Sequence, residues 1–384
     1  MTLCGRQRDI QGIVDDCKSD HLVVLSHEPG MGASSLLKYG LPPAFAAEGA
    51  ITLVWSDWQG NSFIADLKEA IAEAVRQQAD RNFFAETERL DEILRRAHKK
   101  TGRPLLLLLD EFEDYLRCHS GSHLSDSFDA ELSSAVAGHY AWFVVAIQSH
   151  AIGPFERLSQ YVPNLMGFHR KLPPLTGEAA REAVLAEASR RSMDVETAVA
   201  EALVSCKTVA CEGGIHPFFL MRGVTRILDA ESRLKSTVAR LSTFQLNGGP
   251  DRLVLESLDD TLSDLSSTSA ELLFHWCKIL ISPQKNRASL TEKALSDYAG
   301  RLNRFVLTTL PQLREIGLLR SVQILDVTRY EISRECLTPI LHDWWTRREA
   351  ALLARRRAQF RVRSISVAAG AIVTMYITWL LFGK

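Results

Sequence analysis

The sequence predicts an α/β fold with a parallel sheet, followed by a helical subdomain and then by three helices and a β-hairpin. Three observations lead to this prediction. Short apolar runs alternate with helical patterns as far as residue 170, helical periodicity continues to residue 263, and two short strands follow three helices between residues 270 and 346. Early runs that are apolar on both faces are typical of parallel strands covered by helices on both sides.

The first region contains four apolar runs that predict strands. They lie at 21–27, at 50–58, in the five leucines that precede Asp110, and at 141–150. Apolar residues three or four positions apart predict helices at 5–19, 62–79 and 88–100. The Ser- and His-containing stretch 118–127 is expected to be a solvated loop. We assign residues 1–170 to this α/β core.

The second and third regions are defined by where the pattern changes. After "KLPPLTG" (171–177) the chain has helical periodicity, which predicts a helical lid subdomain at 171–263. Three helices and then two short strands, "LLRSVQI" and "RYEIS", follow a Ser-rich linker. This order is that of a winged-helix domain, which we place at 264–346.

The C-terminal part of the sequence has an unusual charge pattern. Residues 347–363 contain seven arginines and one glutamate, and "ISVAAGAIVTMYITWLLF" (365–382) has no charge over 18 residues. That length is near the lower limit for crossing a hydrocarbon core of about 30 Å, and flanking positive residues stay on the cytoplasmic side. We therefore predict a basic segment at 347–364 and a single transmembrane helix at 365–382. The N-terminal domains are then expected in the cytoplasm; a buried C-terminal helix is the alternative.

Composition excludes several kinds of site. The formal net charge of −1 gives no general attraction for nucleic acid. The third helix of the expected winged helix, near 304–319, carries Arg304, Arg314 and Glu315, too little positive charge for a phosphate-tracking surface. The seven cysteines show no CxxC spacing and the histidines no metal-ligand spacing, so we predict reduced thiols, no zinc site and no nucleic-acid partner.

A small-residue loop joins the first strand to a helix. "HEPGMGAS" (27–34) has the layout of a phosphate-binding loop, which needs consecutive backbone N–H groups and a helix N-terminus. The usual form is GxxxxGK[ST], with the lysine on the phosphates and the hydroxyl on Mg²⁺. Gly30, Gly32 and Ser34 keep this pattern, whereas His27 replaces the first glycine and Ala33 the lysine.

A pair of acids strengthens this interpretation. Asp110 and Glu111 follow the strand of five leucines, at the strand end where ligands bind in open α/β sheets. An acid at this place can hold a metal ion, and an adjacent glutamate can polarise the attacking water. The alternative is a solvated acidic loop, because Glu113 and Asp114 continue the run.

Five stretches together resemble the signal-transducing P-loop ATPases with numerous domains (STAND), which are related to AAA+ ATPases. They are "CGRQRDIQGIV", "SSLLKYGLPPAF", "LLLLDEFEDYL", "LPPLTGEAAREAV" and "YEISRECLTPILHDWW", in order from residue 3 to residue 346. The resemblance implies a P-loop NTPase core, bound ATP or ADP with Mg²⁺, and oligomerisation on activation. It also implies signalling with a protein partner, plausible in bacterial defence.

The resemblance implies roles position by position. Ser34 and Asp110 would hold the metal, Asp110 and Glu111 would be catalytic, and nucleotide contacts would come from Gly5, Arg6, Gly30, Met31, Gly32, Ala33, Ser34, Ser35, Pro217 and Arg334. Gly5 and Arg6 would lie beside the base, and Pro217 matches a nucleotide-contacting proline of the helical subdomain.

Three phosphate-facing positions depart from the family pattern. The loop lysine is Ala33, the sensing arginine after a core strand is Gln148, and the winged-helix histidine is Arg334. Losing a charge-assisted contact costs on the order of 1.5–3 kcal/mol, so we expect weak nucleotide binding and little or no hydrolysis. Lys38 lies one helical turn past Ser34 and is expected to be too far along the helix to replace the lysine.

These features lead to one hypothesis and two alternatives. The chain is interpreted as a membrane-anchored, STAND-like switch or scaffold, possessing a degenerate P-loop and signalling by oligomerisation. One alternative is an active ATPase in which Arg334 or a neighbouring subunit's arginine replaces the lysine. The other is a membrane-tethered interaction module that binds no nucleotide.

Overall fold

The computed structural model describes residues 3–79, 81–85, 88–119, 123–206, 209–246, 262, 265–282, 287–315, 318–324, 327–333, 337–339 and 341–354. The chain divides into two compact units. The first ends at Ser266 and also includes Ser321–Tyr330, and the second begins at Ser267. The predicted boundary at residue 263 lies outside the described residues.

A five-stranded parallel sheet forms the centre of the first unit, in the order β2-β3-β4-β1-β5. Its strands are β1 Leu22–His27, β2 Ile51–Trp55, β3 Leu105–Leu109, β4 Ala141–Gln148 and β5 His169–Leu172. The predicted α/β core with a parallel sheet is confirmed. Sequence reasoning missed β5 because this strand lies at the sheet edge and consists mainly of charged and polar residues.

Helices connect the strands and lie on both faces of the sheet. They are α1 Gln7–Ser19, α2 Ala33–Ser35, α3 Leu41–Ala47, α4 Phe63–Gln78, α5 Leu90–Thr101, α6 Phe112–Cys118, α7 His123–Ala137 and α8 Ile152–Phe155. A π-helical turn, Leu36–Gly40, joins α2 to α3. The loop expected at 118–127 is wrong in its second half, because α7 starts at His123; Ser and Asp residues obscure its apolar periodicity.

The two faces of the sheet belong to two separate hydrophobic clusters. Alternate leucines of β3 divide between them: Leu105, Leu107 and Leu109 join one cluster, and Leu106 and Leu108 join the other. Every residue of β3 is buried. This alternation follows from the two-residue period of a strand and explains why both faces must be apolar.

The rest of the first unit is mainly helical, with its own hydrophobic cluster. Its helices are α9 Gly177–Arg190, α10 Thr197–Val204, α11 Pro217–Arg233 and α12 Leu241–Leu246. The hydroxyl oxygen of Thr176 accepts a hydrogen bond from the Ala179 N–H and caps α9. Two small two-stranded sheets, which the sequence did not predict, join β6 Asp194–Val195 to β9 Val238–Ala239 and β7 Ala210–Cys211 to β8 Gly214–Ile215.

The second unit contains α13 Ser267–Leu280, α14 Glu292–Ala299, α15 Val306–Glu315 and a helix at 341–354. Strands β10 Leu290–Thr291, β11 Leu319–Ile324 and β12 Val327–Ile332 form one sheet in the order β10-β12-β11, although Ser321–Tyr330 are grouped with the first unit. Glu331 belongs to the second unit and is fully buried. Its carboxylate accepts a 2.7 Å hydrogen bond from Arg320 Nε and lies 3.5 Å from an Arg287 guanidinium nitrogen.

The prediction of a single-pass membrane protein needs correction. Among the helices that the structure describes, none combines the length and the apolar character that crossing a bilayer requires. The longest, α11, has 17 residues and contains charged side chains, whereas a spanning helix needs roughly 20 apolar residues. This finding contradicts the predicted membrane localisation. The segment 365–382, on which that prediction rested, lies outside the described residues.

Candidate functional site

The carboxyl ends of β1, β3 and β4 meet at one edge of the sheet because β4 lies between the other two. The small-residue loop leaves β1, and Asp110 and Glu111 follow β3. Glu111 has a backbone φ of +51°, in the left-handed region that non-glycine residues rarely adopt. Such conformations concentrate at functional sites. The edge therefore combines the two predicted motifs with a strained acidic residue.

The loop after β1 depends on two glycines with positive φ. Gly30 has φ +81° and Gly32 has φ +87°, and the space beside Gly32 is open. Met31 and Ala33 are buried between and after them, and Ser34 follows at the start of the helix. The loop thus keeps the backbone shape that a phosphate-binding turn needs, although it lacks the lysine.

Asp110 is the most deeply placed acid of this edge, with 2% of its surface exposed. Its Oδ1 accepts the Glu111 N–H at 3.0 Å, whereas Oδ2 is buried and has no hydrogen-bond partner. Burial raises the pKa of Asp110, and the Ser34 hydroxyl and the Lys38 ammonium oppose that shift. The structure therefore places the Ser34 hydroxyl beside the Asp110 carboxylate.

The next strand end is occupied by a buried polar pair. The Gln148 side-chain amide donates to Glu113 at 2.8 Å, and its backbone N–H donates to the other carboxylate oxygen at 3.3 Å. The amide oxygen of Gln148 is buried without a hydrogen-bond partner. Gln148 therefore lies at the carboxyl end of β4 with its amide nitrogen on an acid. The role of Glu113 was not foreseen from the sequence.

Gly5 and Arg6 line a pocket of about 430 Å³ together with residues 173–176 and 178–179. Arg6 is buried, and its guanidinium donates to the backbone oxygens of Met31 at 2.8 Å and Pro173 at 2.7 Å. A side chain at Gly5 would collide with the Ala179 carbonyl oxygen, 2.4 Å from the Cβ position. Arg6 thus supports both the loop and the pocket wall.

The start of α11 contacts the loop directly. His216, which precedes Pro217, has its Nε2 3.1 Å from the Pro29 carbonyl oxygen. A Cβ on Gly30 would lie 2.5 Å from His216 Cε1 and 3.2 Å from Phe218 Cβ. The Nδ1 of His216 is buried without a partner, and burial lowers the pKa of this imidazole. Sequence reasoning selected Pro217 and missed the histidine beside it.

Lys38 lies in the π-helical turn that follows Ser34, and its Nζ is 4.0 Å from Asp110 Oδ2. The Lys38 side chain therefore reaches the carboxyl end of β3, while the expectation that Lys38 is too far along the helix to replace the loop lysine stays a prediction. Ser35 is exposed beside Ser34. Arg334, the remaining predicted contact, lies outside the described residues.

A divalent cation fits the oxygen atoms at this edge. The described residues contain no group of three or more His, Cys, Asp or Glu side chains arranged for a metal. Magnesium is usually held by one or two protein oxygens together with water and substrate phosphates. The unpartnered Oδ2 of Asp110 and the Ser34 hydroxyl supply oxygens of that kind.

Comparison with known proteins gave one family match. A family model described as Novel STAND NTPase 1 matches residues 2–365. No curated protein matches the sequence significantly.

Three solved structures illustrate the similarity of this chain to known structures. The Aeropyrum pernix ORC1 protein in complex with DNA has a TM-score of 0.46 at 16% identity, with 92% of this chain and 94% of that chain covered. The ADP form of Aeropyrum pernix ORC2 has 0.43 at 13%, covering 89% and 93%. The Thermotoga maritima RuvB Holliday junction branch migration motor has 0.40 at 15%, covering 82% and 87%.

Proposed function

Because the chain belongs to the Novel STAND NTPase 1 family, we propose that its first unit is a nucleotide-dependent switch that binds ATP or ADP with Mg²⁺ and hydrolyses slowly or not at all. One observation carries this proposal: Asp110 is buried with an unpartnered Oδ2 beside the Ser34 hydroxyl, at the carboxyl edge of a parallel sheet. A buried carboxylate oxygen without a partner is costly, and a ligand that satisfies it compensates that cost.

The nucleotide would extend from the pocket beside Gly5 to the loop. The pocket volume of about 430 Å³ is within the usual range for small-molecule sites. The phosphates would face the N–H groups of Gly30, Met31, Gly32 and Ala33 and the N-terminus of the helix that starts at Ala33. Arg6 would act indirectly, since it holds Met31 through its carbonyl oxygen.

Three further residues would hold the metal ion and orient the attacking water. Ser34 and Asp110 would hold Mg²⁺, which neutralises phosphate charge when bound. Glu111, set in a left-handed conformation beyond the strand, would orient the attacking water. Two features argue for slow turnover: Ala33 supplies no ammonium group to the phosphates, and Gln148 supplies no positive charge.

The stretch from α13 to β12 has the element order of a winged helix, and we propose that it is one. Its three helices precede the β11–β12 hairpin, and a short β10 strand pairs with β12. In the family that this chain resembles, the winged-helix domain closes on the nucleotide, and its opening permits oligomers to assemble. We therefore propose a homo-oligomer on activation and a protein partner. A role in bacterial defence or signalling rests on the resemblance alone.

Nucleotide binding and turnover can be measured on the full-length chain. We expect ATP or ADP to bind the wild type in isothermal titration with Mg²⁺, Asp110→Ala to weaken binding at least tenfold, and Asp66→Ala to leave it unchanged. Asp66 is a matched control because it is an exposed acid that accepts a hydrogen bond from Ser62.

Two outcomes separate the alternatives. Rapid turnover that Glu111→Gln abolishes would establish an active ATPase instead of a degenerate switch. No binding by wild type, with no nucleotide recovered from the purified protein, would favour an interaction module.

A further inference from the structure

Lys38 combines an unusual backbone conformation with a close approach to a buried acid. It lies in the middle of the π-helical turn Leu36–Gly40, a widened turn that occurs frequently at functional sites. Its side chain is 46% exposed, yet its Nζ comes within 4.0 Å of Asp110 Oδ2, on a residue only 2% exposed. A solvent-accessible ammonium group therefore approaches the buried carboxylate of Asp110, the acid proposed to hold the metal ion.

Other positive side chains around the loop already have closer partners. Arg6 donates to two backbone oxygens and to Asp9. Arg170 pairs with Asp16 on α1, and Lys171 lies 3.5 Å from Glu28. Lys38 differs because 4.0 Å exceeds hydrogen-bond length, so its ammonium group is attracted to Asp110 without being fixed to it.

The chemistry of the site favours such a cation. Asp114 pairs with Arg117 at 2.9 Å, which leaves Asp110 and Glu111 as the acids nearest the proposed phosphate position. The loop position that usually carries the lysine is Ala33. Without a positive side chain, the acids repel the phosphates and a metal ion must offset that repulsion alone.

We propose that Lys38 is the phosphate-binding lysine of this protein, relocated from the loop to the π-helical turn. In the free protein its ammonium group lies against Asp110, and on binding it turns to the phosphates of the nucleotide. This assignment rests on the proposed nucleotide site. The flexible four-carbon stem of lysine permits both positions, whereas a guanidinium held by two partners does not exchange them as readily.

One consequence concerns Mg²⁺. Because Lys38 and a bound metal ion both neutralise the same acids and phosphates, each partly compensates for the loss of the other. Removing Lys38 should therefore weaken binding most when no divalent cation is present.

The test uses the full-length chain, methylanthraniloyl-ATP as a fluorescent probe, and buffers containing either EDTA or excess Mg²⁺. Lys38→Met keeps much of the aliphatic stem and removes the charge. Lys18→Met is the matched control, since Lys18 is 44% exposed and pairs with Glu48 on the same unit, away from the loop. Thermal unfolding of each variant shows whether it folds.

We expect Lys38→Met to weaken probe binding roughly ten- to a hundredfold in EDTA and less in Mg²⁺, the size of one charge-assisted contact. Lys18→Met should match wild type, and Lys38→Arg should recover part of the affinity. A second readout is chemical: bound ATP should slow reductive methylation of Lys38 and not of Lys18, as followed by mass spectrometry.

Three results would overturn the proposal. If Lys38→Met bound the probe as tightly as wild type, Lys38 would not be the phosphate-binding lysine, and the proposed nucleotide site would be unaffected by this result. Equal losses in Lys38→Met and Lys18→Met would show a general charge effect. Absence of probe binding by wild type in both buffers would refute the nucleotide site, and Lys38 with it.

Discussion

Two buried acids, one in each unit of the molecule, differ in whether their charge is paired. In the second unit, Glu331 has no exposed surface and contacts two arginines, Arg320 at 2.7 Å and Arg287 at 3.5 Å. In the first unit, Asp110 is almost as buried, but its Oδ2 has no hydrogen-bond partner and its nearest ammonium group is 4.0 Å away. A compensated charge holds a fold together, whereas an uncompensated one is a cost that a ligand can remove. The contrast distinguishes a structural cluster from a candidate site.

The largest expected loss of stability follows from replacing Glu331, the acid whose charge is paired. Glu331→Ala leaves the positive charges of Arg320 and Arg287 poorly exposed and without this carboxylate, which should destabilise the second unit by about 3–5 kcal/mol. Chemical denaturation followed by hydrogen exchange of α13 to α15 would measure the loss. Glu349→Ala is the control, because its pair with Lys278 is exposed and should contribute less than about 1 kcal/mol. Equal losses of stability in Glu331→Ala and Glu349→Ala would show that the buried ion pairs of Glu331 contribute no more than an exposed one.

Alanine substitutions at Gly30 and Gly32 test whether His216 holds the loop after β1. Gly30 and Gly32 have nearly the same positive φ, so alanine strains both backbones by about 1–2 kcal/mol. Only at Gly30 would the added methyl group meet His216, 2.5 Å away. We expect Gly30→Ala to cost about 2–4 kcal/mol and Gly32→Ala about half as much in unfolding experiments. A reversed order would show that His216 does not hold the loop.

The sequence predicted the parallel sheet well because its strands depend on local patterns. Five consecutive leucines can be buried on both faces only as a central strand, and the acids after them must lie at its carboxyl end. The contacts of Lys38 and His216 could not be predicted. The first depends on where the end of a long, exposed side chain lies, and the second depends on how α11 packs on a loop 187 residues earlier in the chain.

A smaller effect of opposite sign is expected at the uncompensated acid. Asp110→Asn removes a charge whose burial raises its pKa, so the variant should be more stable than wild type at pH 7, by about 1 kcal/mol. A raised carboxyl pKa favours the folded state at low pH, and this contribution disappears as pH rises through the folded pKa. The gain should therefore shrink as pH falls. Thermal unfolding between about pH 4 and about pH 8, an interval above the ordinary Asp pKa of about 3.9, measures it. Loss of stability at pH 7 would make Asp110 a structural acid like Glu331.

The smallest expected effect concerns His216, whose pKa burial lowers. A lowered imidazole pKa stabilises the folded state above the unfolded pKa, near about 6.5, and this contribution is lost as pH falls through the folded value. The hydrogen bond to Pro29 needs an Nε2–H, which the neutral ring can supply. We expect His216→Phe to cost about 0.5–1 kcal/mol above pH 7 and to match wild type near pH 5, because a protonated ring would be buried beside the loop.

Hydrogen exchange of α11 as a function of pH measures this, with α14 in the second unit as the internal reference. If the difference between wild type and His216→Phe stayed constant over that range, His216 would contribute through packing on Gly30 and Phe219 alone, and the loop contact would not depend on its charge.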